Sequence, residues 1–499
     1  MKTKKFAVLL FTLILVLGLF PMGVFAASST VTATSTASIT INNAVENDVL
    51  EAYKVVDITY NEASNHVSYE WNSDFADYFA GTTSYNATAY TVEQFGALED
   101  NSDALKTLLA VLPNYIANKA SITPVDTQTV DSGGTATFAG LAMGEYFIRP
   151  TSSTSVYQLM LQKIEPKVEE DSEGNPHYVI EDVTFTAKKK EVTITKNADK
   201  KSVTKNEKVA YTVTVDIPTY ANNTTDKSFY VSDLLPDGLT IDTASINVKI
   251  DGADVDSNAY TLDTTATSAY TFKLSVSTQQ YTSSWTNKGG NKLVITYTAT
   301  LNDDATTEVN VNETNTATFD YSFYPYVENS HKQKTDKVDV TTFAIKIDKY
   351  VAGSHATKLA DAKFDLYRTA TDAEITAGGT ETIPHTTING IKLESNVVTN
   401  ASGVATFEKY EANGTKYDYY LVETQAPHGY NILANAVKVN FTDVEATNGV
   451  YTVKVPNSSG ITLPITGDEG IVIFTVIGIA FMGGAVILFV LFHKKAKAN

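Results

Sequence analysis

Lys208-Val209-Ala210-Tyr211-Thr212-Val213-Thr214-Val215-Asp216-Ile217 places an apolar side chain at every second position. Val209, Tyr211, Val213, Val215 and Ile217 therefore share one face, the period of a strand with one side buried. The same period recurs in Phe272, Leu274 and Val276, in Leu293, Ile295, Tyr297 and Ala299, and in Val437, Val439 and Phe441. Short segments rich in Thr, Val, Ile and Tyr, broken by Asn, Asp, Gly and Ser clusters, continue from Val31 to Val455. That pattern predicts an all-β chain of sandwiches. One helical pattern interrupts it: from near Ser102, Leu105, Leu108, Leu109 and Leu112 fall on one face before Pro113, which reads as an insertion in the first domain.

The 499 residues allow about three domains of ordinary size. Composition shifts at the charged region from Glu169 to Lys190, with its Gly174-Asn175-Pro176 turn, and at the polar stretch from His331 to Asp339, read as a linker. The domains expected are 27–187, 188–340 and 341–460.

Cysteine is absent, which excludes disulfides, zinc-thiolate sites and thiol catalysis. A formal charge of -19, from 38 basic and 57 acidic residues, argues against nucleic acid as a partner. Asp254-Val255-Asp256-Ser257-Asn258 has the acidic spacing of a calcium loop, but Ala259 stands where Gly is needed and Thr265 where Glu is needed. No metal or other cofactor is expected. Among only seven His residues there is no metal-ligand cluster, and no nucleophile-elbow motif occurs, so an enzyme is not the expectation either.

Both ends carry targeting signals. Residues 1–26 have a basic start (Lys2, Lys4, Lys5), an apolar run from Phe6 to Phe20 and Val24-Phe25-Ala26 at a small-residue cleavage site, the pattern of a signal peptide. At the other end, residues 471–492 are apolar for 22 residues, long enough to span a bilayer, and the basic tail 493–499 follows. The body between them is expected to be secreted. Immediately before the span stands Leu463-Pro464-Ile465-Thr466-Gly467. This order resembles the LPxTG sorting signal read by sortases, transpeptidases that cut after the Thr, here between Thr466 and Gly467. The span would hold the precursor at the membrane while Pro464 keeps the peptide extended and Gly467 leaves the scissile bond uncrowded.

The last domain opens with Ile345-Lys346-Ile347-Asp348, continues with Leu359-Ala360-Asp361-Ala362-Lys363-Phe364-Asp365-Leu366-Tyr367 and Tyr420-Leu421-Val422-Glu423-Thr424-Gln425-Ala426-Pro427, and closes with Val455-Pro456-Asn457. These segments resemble the B-type, Ig-like domain of Gram-positive collagen adhesins and pilins, with Glu423 in its E-box. Asp361 departs from the family's Gly. The resemblance implies an intramolecular isopeptide bond between Lys346 and Asn457, promoted by Glu423. The middle domain carries a parallel trio: Lys196 in Val192-Thr193-Ile194-Thr195-Lys196, Asp233 in Val231-Ser232-Asp233-Leu234, and Asn315 in Asn315-Thr316-Ala317-Thr318. It resembles the A-type domain of the same proteins and implies a Lys196–Asn315 bond promoted by Asp233. Burial among aromatics would leave lysine neutral and nucleophilic and the carboxyl protonated, so no cofactor is needed. The first domain, read as a third sandwich of B type, has Asn in Ile39-Thr40-Ile41-Asn42-Asn43 where the others have Lys, and no cross-link is expected there although Glu145 resembles an E-box remnant.

Leu161-Gln162-Lys163-Ile164-Glu165-Pro166-Lys167 resembles the pilin motif whose Lys accepts the sortase-bound Thr, with Glu165 in place of the usual Tyr. Lys167 is the expected acceptor and Lys163 its rival. The resemblance as a whole is to the major pilins of sortase-assembled Gram-positive pili. It implies a shaft subunit, Thr466 of one copy joined to Lys167 of the next. The partners implied are pilus-specific and housekeeping sortases, identical subunits, minor pilins, peptidoglycan and host surface ligands. The alternative is a monomeric wall-anchored adhesin, or a minor pilin, in which the same domains form a stalk.

Overall fold

The period-two segments are strands: the rows of Val209 to Ile217, Phe272 to Val276 and Leu293 to Ala299 are buried, whereas of Val437, Val439 and Phe441 only Val439 is fully buried. The computed structural model describes residues 31–99, 102–174, 176–306, 313–411, 417–441, 445–447, 449–459 and Met482. The signal peptide, the Leu463–Gly467 motif, the span from 471 to 492 (Met482 apart) and the tail lie outside the described residues. Among those described, no helix is long and apolar enough to cross a membrane.

Two compact units result. One holds the chain up to Lys201 with Asn206–Asp304 and Glu313–Val340, and the other holds Ser202–Lys205 and the chain from Thr341 onward. Among the described residues, no sheet joins strands from before Glu191 to strands after it, or strands from before Val340 to strands after it.

In the first set, Thr36–Asn42 pairs in parallel with Val183–Thr186 and antiparallel with Ala136–Ala142. Against this lies a sheet in the order His66–Trp71, Val49–Asn61, Gly144–Ser152, Met160–Ile164. The region from Glu169 to Lys190, expected to be a boundary, supplies both the hairpin of Lys167–Glu170 with Pro176–Val179 and the strand Val183–Thr186. The expected helix spans Asp103–Asn118, and the Ser102 hydroxyl caps it by accepting from the Leu105 N–H. It continues beyond Pro113 because Tyr115 and Ile116 extend the buried stripe of Leu105, Leu108, Leu109 and Leu112, which outweighs the N–H that proline lacks. Short helices at Ala76–Phe79 and Val92–Gly96 were not legible as helical patterns.

The second set packs two five-stranded sheets. Lys208–Asp216 lies between Ile194–Ala198 and Lys292–Leu301 in one, and Phe229–Leu234 lies between Phe272–Val276 and Glu313–Ser322 in the other. His331–Val340, read from sequence as a linker, is an edge strand paired along its whole length with Glu313–Ser322. Its polarity misled the reading: charged side chains such as Lys332, Lys334, Asp336 and Lys337 suit an edge that must not recruit a further strand.

In the third set the opening strand Phe343–Val351 lies between Val404–Tyr410, antiparallel, and the closing strand Val450–Asn457, parallel. Ile345, Ile347, Phe364, Leu366, Phe407, Leu421 and Val455 fill its core. Gly403 (φ +71°) turns the chain so tightly that a Cβ there would lie 2.3 Å from the carbonyl oxygen of Lys349. Its own carbonyl takes the Lys349 N–H at 2.7 Å. Gly403→Ala is expected to destabilise this unit by more than about 1 kcal/mol, read as a lowered urea midpoint, because both the left-handed backbone and the close approach exclude a side chain.

Candidate cross-link and acceptor sites

Alternation along Phe343–Val351 decides which lysine enters the core. Ile345, Ile347 and Lys349 point inward, and Lys346, three residues from Lys349, falls on the opposite, half-buried face. The expectation placed Lys346 beside Asn457; the structure places Lys349 there. The Lys349 ammonium contacts the Asn457 side-chain oxygen and lies 3.1 Å from Glu423 Oε1, with both side chains fully buried. Asn457 Nδ2 donates to both Glu423 oxygens at 3.0 Å and to the Asn431 carbonyl at 2.9 Å. The Leu433 N–H donates to Glu423 Oε2 at 2.8 Å, which fixes the carboxylate. Burial pushes the Lys349 amine below its usual range, with Glu423 opposing the shift. The sequence signal was available in Ile345-Lys346-Ile347-Asp348-Lys349, whose inward row ends on Lys349.

In the middle set, Lys196, Asp233 and Asn315 are all buried and converge as expected. Ile194–Ala198 and Phe229–Leu234 belong to opposite sheets, so the Lys196–Asp233 ion pair crosses the interior of the sandwich. Tyr297, one of the inward residues of Lys292–Leu301, ties the trio together: its hydroxyl accepts from Lys196 Nζ at 2.8 Å and from Asn315 Nδ2 at 2.7 Å. From sequence alone Tyr297 reads only as a core residue. Its ring stacks on Tyr211 at 5.3 Å and meets Phe272 edge-on at 5.2 Å, so aromatic carbon surrounds the ammonium. Burial lowers the Lys196 amine and raises the Asp233 carboxyl, each opposed by the other's charge. Asp233 Oδ1 and Asn315 Oδ1 have no hydrogen-bond partner among the described residues.

The first set differs. Asn43, which follows the strand Thr36–Asn42, donates to the Ala187 carbonyl at 3.0 Å. Glu145 is buried, and desolvation raises its carboxyl to about 7, with Lys163 opposing. Lys167 begins the hairpin strand Lys167–Glu170, its side chain 58% exposed and 2.7 Å from Glu181. Thr466, its expected partner, lies outside the described residues. No group of His, Cys, Asp and Glu among the described residues has the geometry to hold a metal ion.

A buried charge cluster that sequence reasoning missed closes one end of the middle set. His331 Nε2 lies 2.9 Å from Asp226 Oδ2, and Nδ1 contacts Asp320. Burial disfavours all three charges, but the mutual hydrogen bonds outweigh it: His331 is raised to about 9, and both aspartates are held below their usual range.

These observations define a multi-sandwich, wall-anchored surface protein. Residues 455–497 match the LPXTG cell wall anchor motif, and residues 343–458 match the prealbumin-like fold domain family. At the level of fold it is built as the major pilins are. The T6 backbone pilin of serotype M6 Streptococcus pyogenes is similar over 87% of this chain and 100% of its own, at 17% identity and a TM-score of 0.56. The major pilin SpaA of Corynebacterium diphtheriae is similar over 85% and 100%, at 19% identity and 0.53. In sequence, the type 1 fimbrial subunit of Actinomyces viscosus is 28% identical over 325 residues, 56% of this chain and 60% of that protein. The chain thus spans about three-fifths of the length of that curated relative.

The His331 cluster carries a pH signature with a definite sign. A histidine raised from 6.5 to about 9 stabilises the fold fully below about 6.5, and the gain is lost as pH rises through about 9. His331→Gln is therefore expected to cost up to about 3 kcal/mol near pH 6 and to unfold like the parent above about pH 9, measured by urea titration at a series of pH values.

Proposed function

We propose that this chain is the structural shaft subunit of a covalently polymerised cell-surface pilus. Sortase joins Thr466 of one subunit to Lys167 of the next, and two internal isopeptide bonds, Lys196–Asn315 and Lys349–Asn457, brace each subunit. The observation that carries this reading is the recurrence of one arrangement: two sandwiches each bury a lysine against a carboxylate, with an asparagine in the same cluster. An exposed lysine precedes both, and a wall anchor follows. The fimbrial relative, the pilin folds and the anchor match support it.

The chemistry of the bond needs only these residues. Burial lowers the Lys196 and Lys349 amines and raises the Asp233 carboxyl, which favours the neutral, nucleophilic form of each lysine. The neutral lysine Nζ attacks the asparagine Cγ, one amine proton passes to the carboxamide nitrogen, and that nitrogen leaves as ammonia while the new C–N bond remains. Glu423 contacts both the incoming Lys349 nitrogen and the departing Asn457 nitrogen, the position of a proton shuttle. Asp233 plays this part for Lys196. A proton on its unpartnered Oδ1 gives it a donor for the carbonyl of Asn315, which is likewise unpartnered among the described residues. The product is a structural polymer, and the enzyme is the sortase.

Load explains the placement. Tension entering at Lys167 and leaving at Thr466 runs through the second and third sandwiches, the two with candidate bonds. Without the Lys196–Asn315 bond, unfolding releases about 120 residues, or roughly 400 Å at about 3.5 Å each. With it, the load passes through the link. The remaining partners proposed are minor pilins and peptidoglycan.

Two measurements test the reading. The intact mass of the exported chain is expected to fall short of its sequence mass by two ammonias. Lys349→Ala restores one of them and Lys346→Ala neither, whereas a full sequence mass for the parent rejects the internal bonds. Wall extracts of the native host, probed on a denaturing gel, are expected to show a high-mass ladder that Lys167→Ala abolishes. A single monomer-sized band from the parent favours the lone wall-anchored adhesin instead.

A further inference from the structure

Two lysines, four residues apart, compete for one reaction, and the structure treats them differently. Lys163 lies on Met160–Ile164, directly across from Glu145 on Gly144–Ser152. Its side chain is only 12% exposed, and its ammonium sits 2.7 Å from Glu165 Oε1. The other oxygen of Glu165 accepts from the Tyr69 hydroxyl at 3.1 Å. Tyr69 belongs to His66–Trp71, the strand at the opposite edge of that sheet, so Glu165 is tied both to its own strand and across the domain.

Pro166 then fixes the backbone, and Lys167 opens the hairpin in register with Val179. The Tyr178 ring of that hairpin packs on Tyr60 at 5.2 Å. Among the described residues the Lys167 ammonium pairs with Glu181, itself half exposed. Such a solvated surface pair is weak and opens readily.

We propose that Glu165 is the specificity-determining residue of the polymerisation step: its carboxylate holds Lys163 out of reach and pins the segment that presents Lys167 as the acceptor. The inference rests on the acceptor reading above. In that step the Thr466 carbonyl carbon, carried as an acyl group on the sortase nucleophile, forms a bond to a lysine Nζ. The bond to the nucleophile breaks, and the amine gives up a proton. The attacking amine must be neutral and able to enter the sortase site. Lys163 would have to break its pair with Glu165 and swing out of a largely buried setting. Lys167 has only a solvated pair to break. Glu165 thus acts as a positioning residue. It occupies the place where the related motif has a tyrosine, and it takes up the hydroxyl of a tyrosine from another strand.

The test maps junction peptides by mass spectrometry in pili from host cells making the parent chain, Glu165→Gln, Tyr69→Phe, Lys167→Ala, or Lys167→Ala with Glu165→Gln. The parent is expected to join at Lys167. Glu165→Gln should raise the share of Lys163 junctions about tenfold or more, as loss of an ion pair worth about 1.4 kcal/mol implies, and Tyr69→Phe should raise it less. The double variant should recover a ladder through Lys163 that Lys167→Ala lacks. General destabilisation lowers polymer yield but does not move the junction. Junctions confined to Lys167 in Glu165→Gln, with no ladder in the double variant, overturn the proposal. Acetic anhydride labelling of the intact parent needs no variant to fold: Lys167 should label faster than Lys163, and equal rates also overturn it. A parent joined through neither lysine instead removes the acceptor reading itself.

Discussion

A lysine ammonium inside a dry β-sandwich is the constraint around which this protein is arranged. Lys196 and Lys349 sit where water cannot solvate them, so each requires a carboxyl at contact distance, and each cluster holds an amide as well. Those partners come from strands far apart in sequence: Asp233 and Asn315 for one, Glu423 and Asn457 for the other. Each cluster forms only when both sheets of its sandwich are in register, because a one-residue slip would turn the lysine outward. The geometry of each cluster is thus a product of correct folding of both sheets.

The two clusters solve the same problem with different materials. In the third set the carboxylate touches both nitrogens, and a backbone N–H from Leu433 holds it. In the middle set a tyrosine hydroxyl stands between lysine and asparagine, inside a cage of Tyr211, Phe272 and Tyr297. The first set has a buried glutamate at 145, while Asn43, just past the strand Thr36–Asn42, donates to the Ala187 carbonyl.

Most of this architecture was legible from alternation. Val209 to Ile217 and Leu293 to Ala299 are strands because their inward rows are apolar, and Ser102 with the following leucines marks the helix. Illegibility had physical causes. His331–Val340 is polar on both faces as an edge strand, so it carries no burial signal. The helix outlasted Pro113 because tertiary burial of Tyr115 and Ile116 overrode the local rule. At the site, motifs point to Lys196, Asp233, Asn315, Glu423 and Asn457, but motif spacing does not carry strand parity, which turns Lys349 and not Lys346 into the core. Tyr297 and the clamp of Tyr69 on Glu165 depend on strands that only the fold brings together.

The parallel pairing of Phe343–Val351 with Val450–Asn457 has a mechanical meaning. A chain drawn out from the start of the first strand and the end of the last loads their hydrogen bonds in shear, all rungs at once, instead of peeling them one by one. Lys349 and Asn457 lie near the exit end of this pair. A covalent bridge there would act as a rivet at the end of a lap joint: the rungs upstream still share small loads reversibly, and the bridge sets a limit beyond which the joint cannot slide.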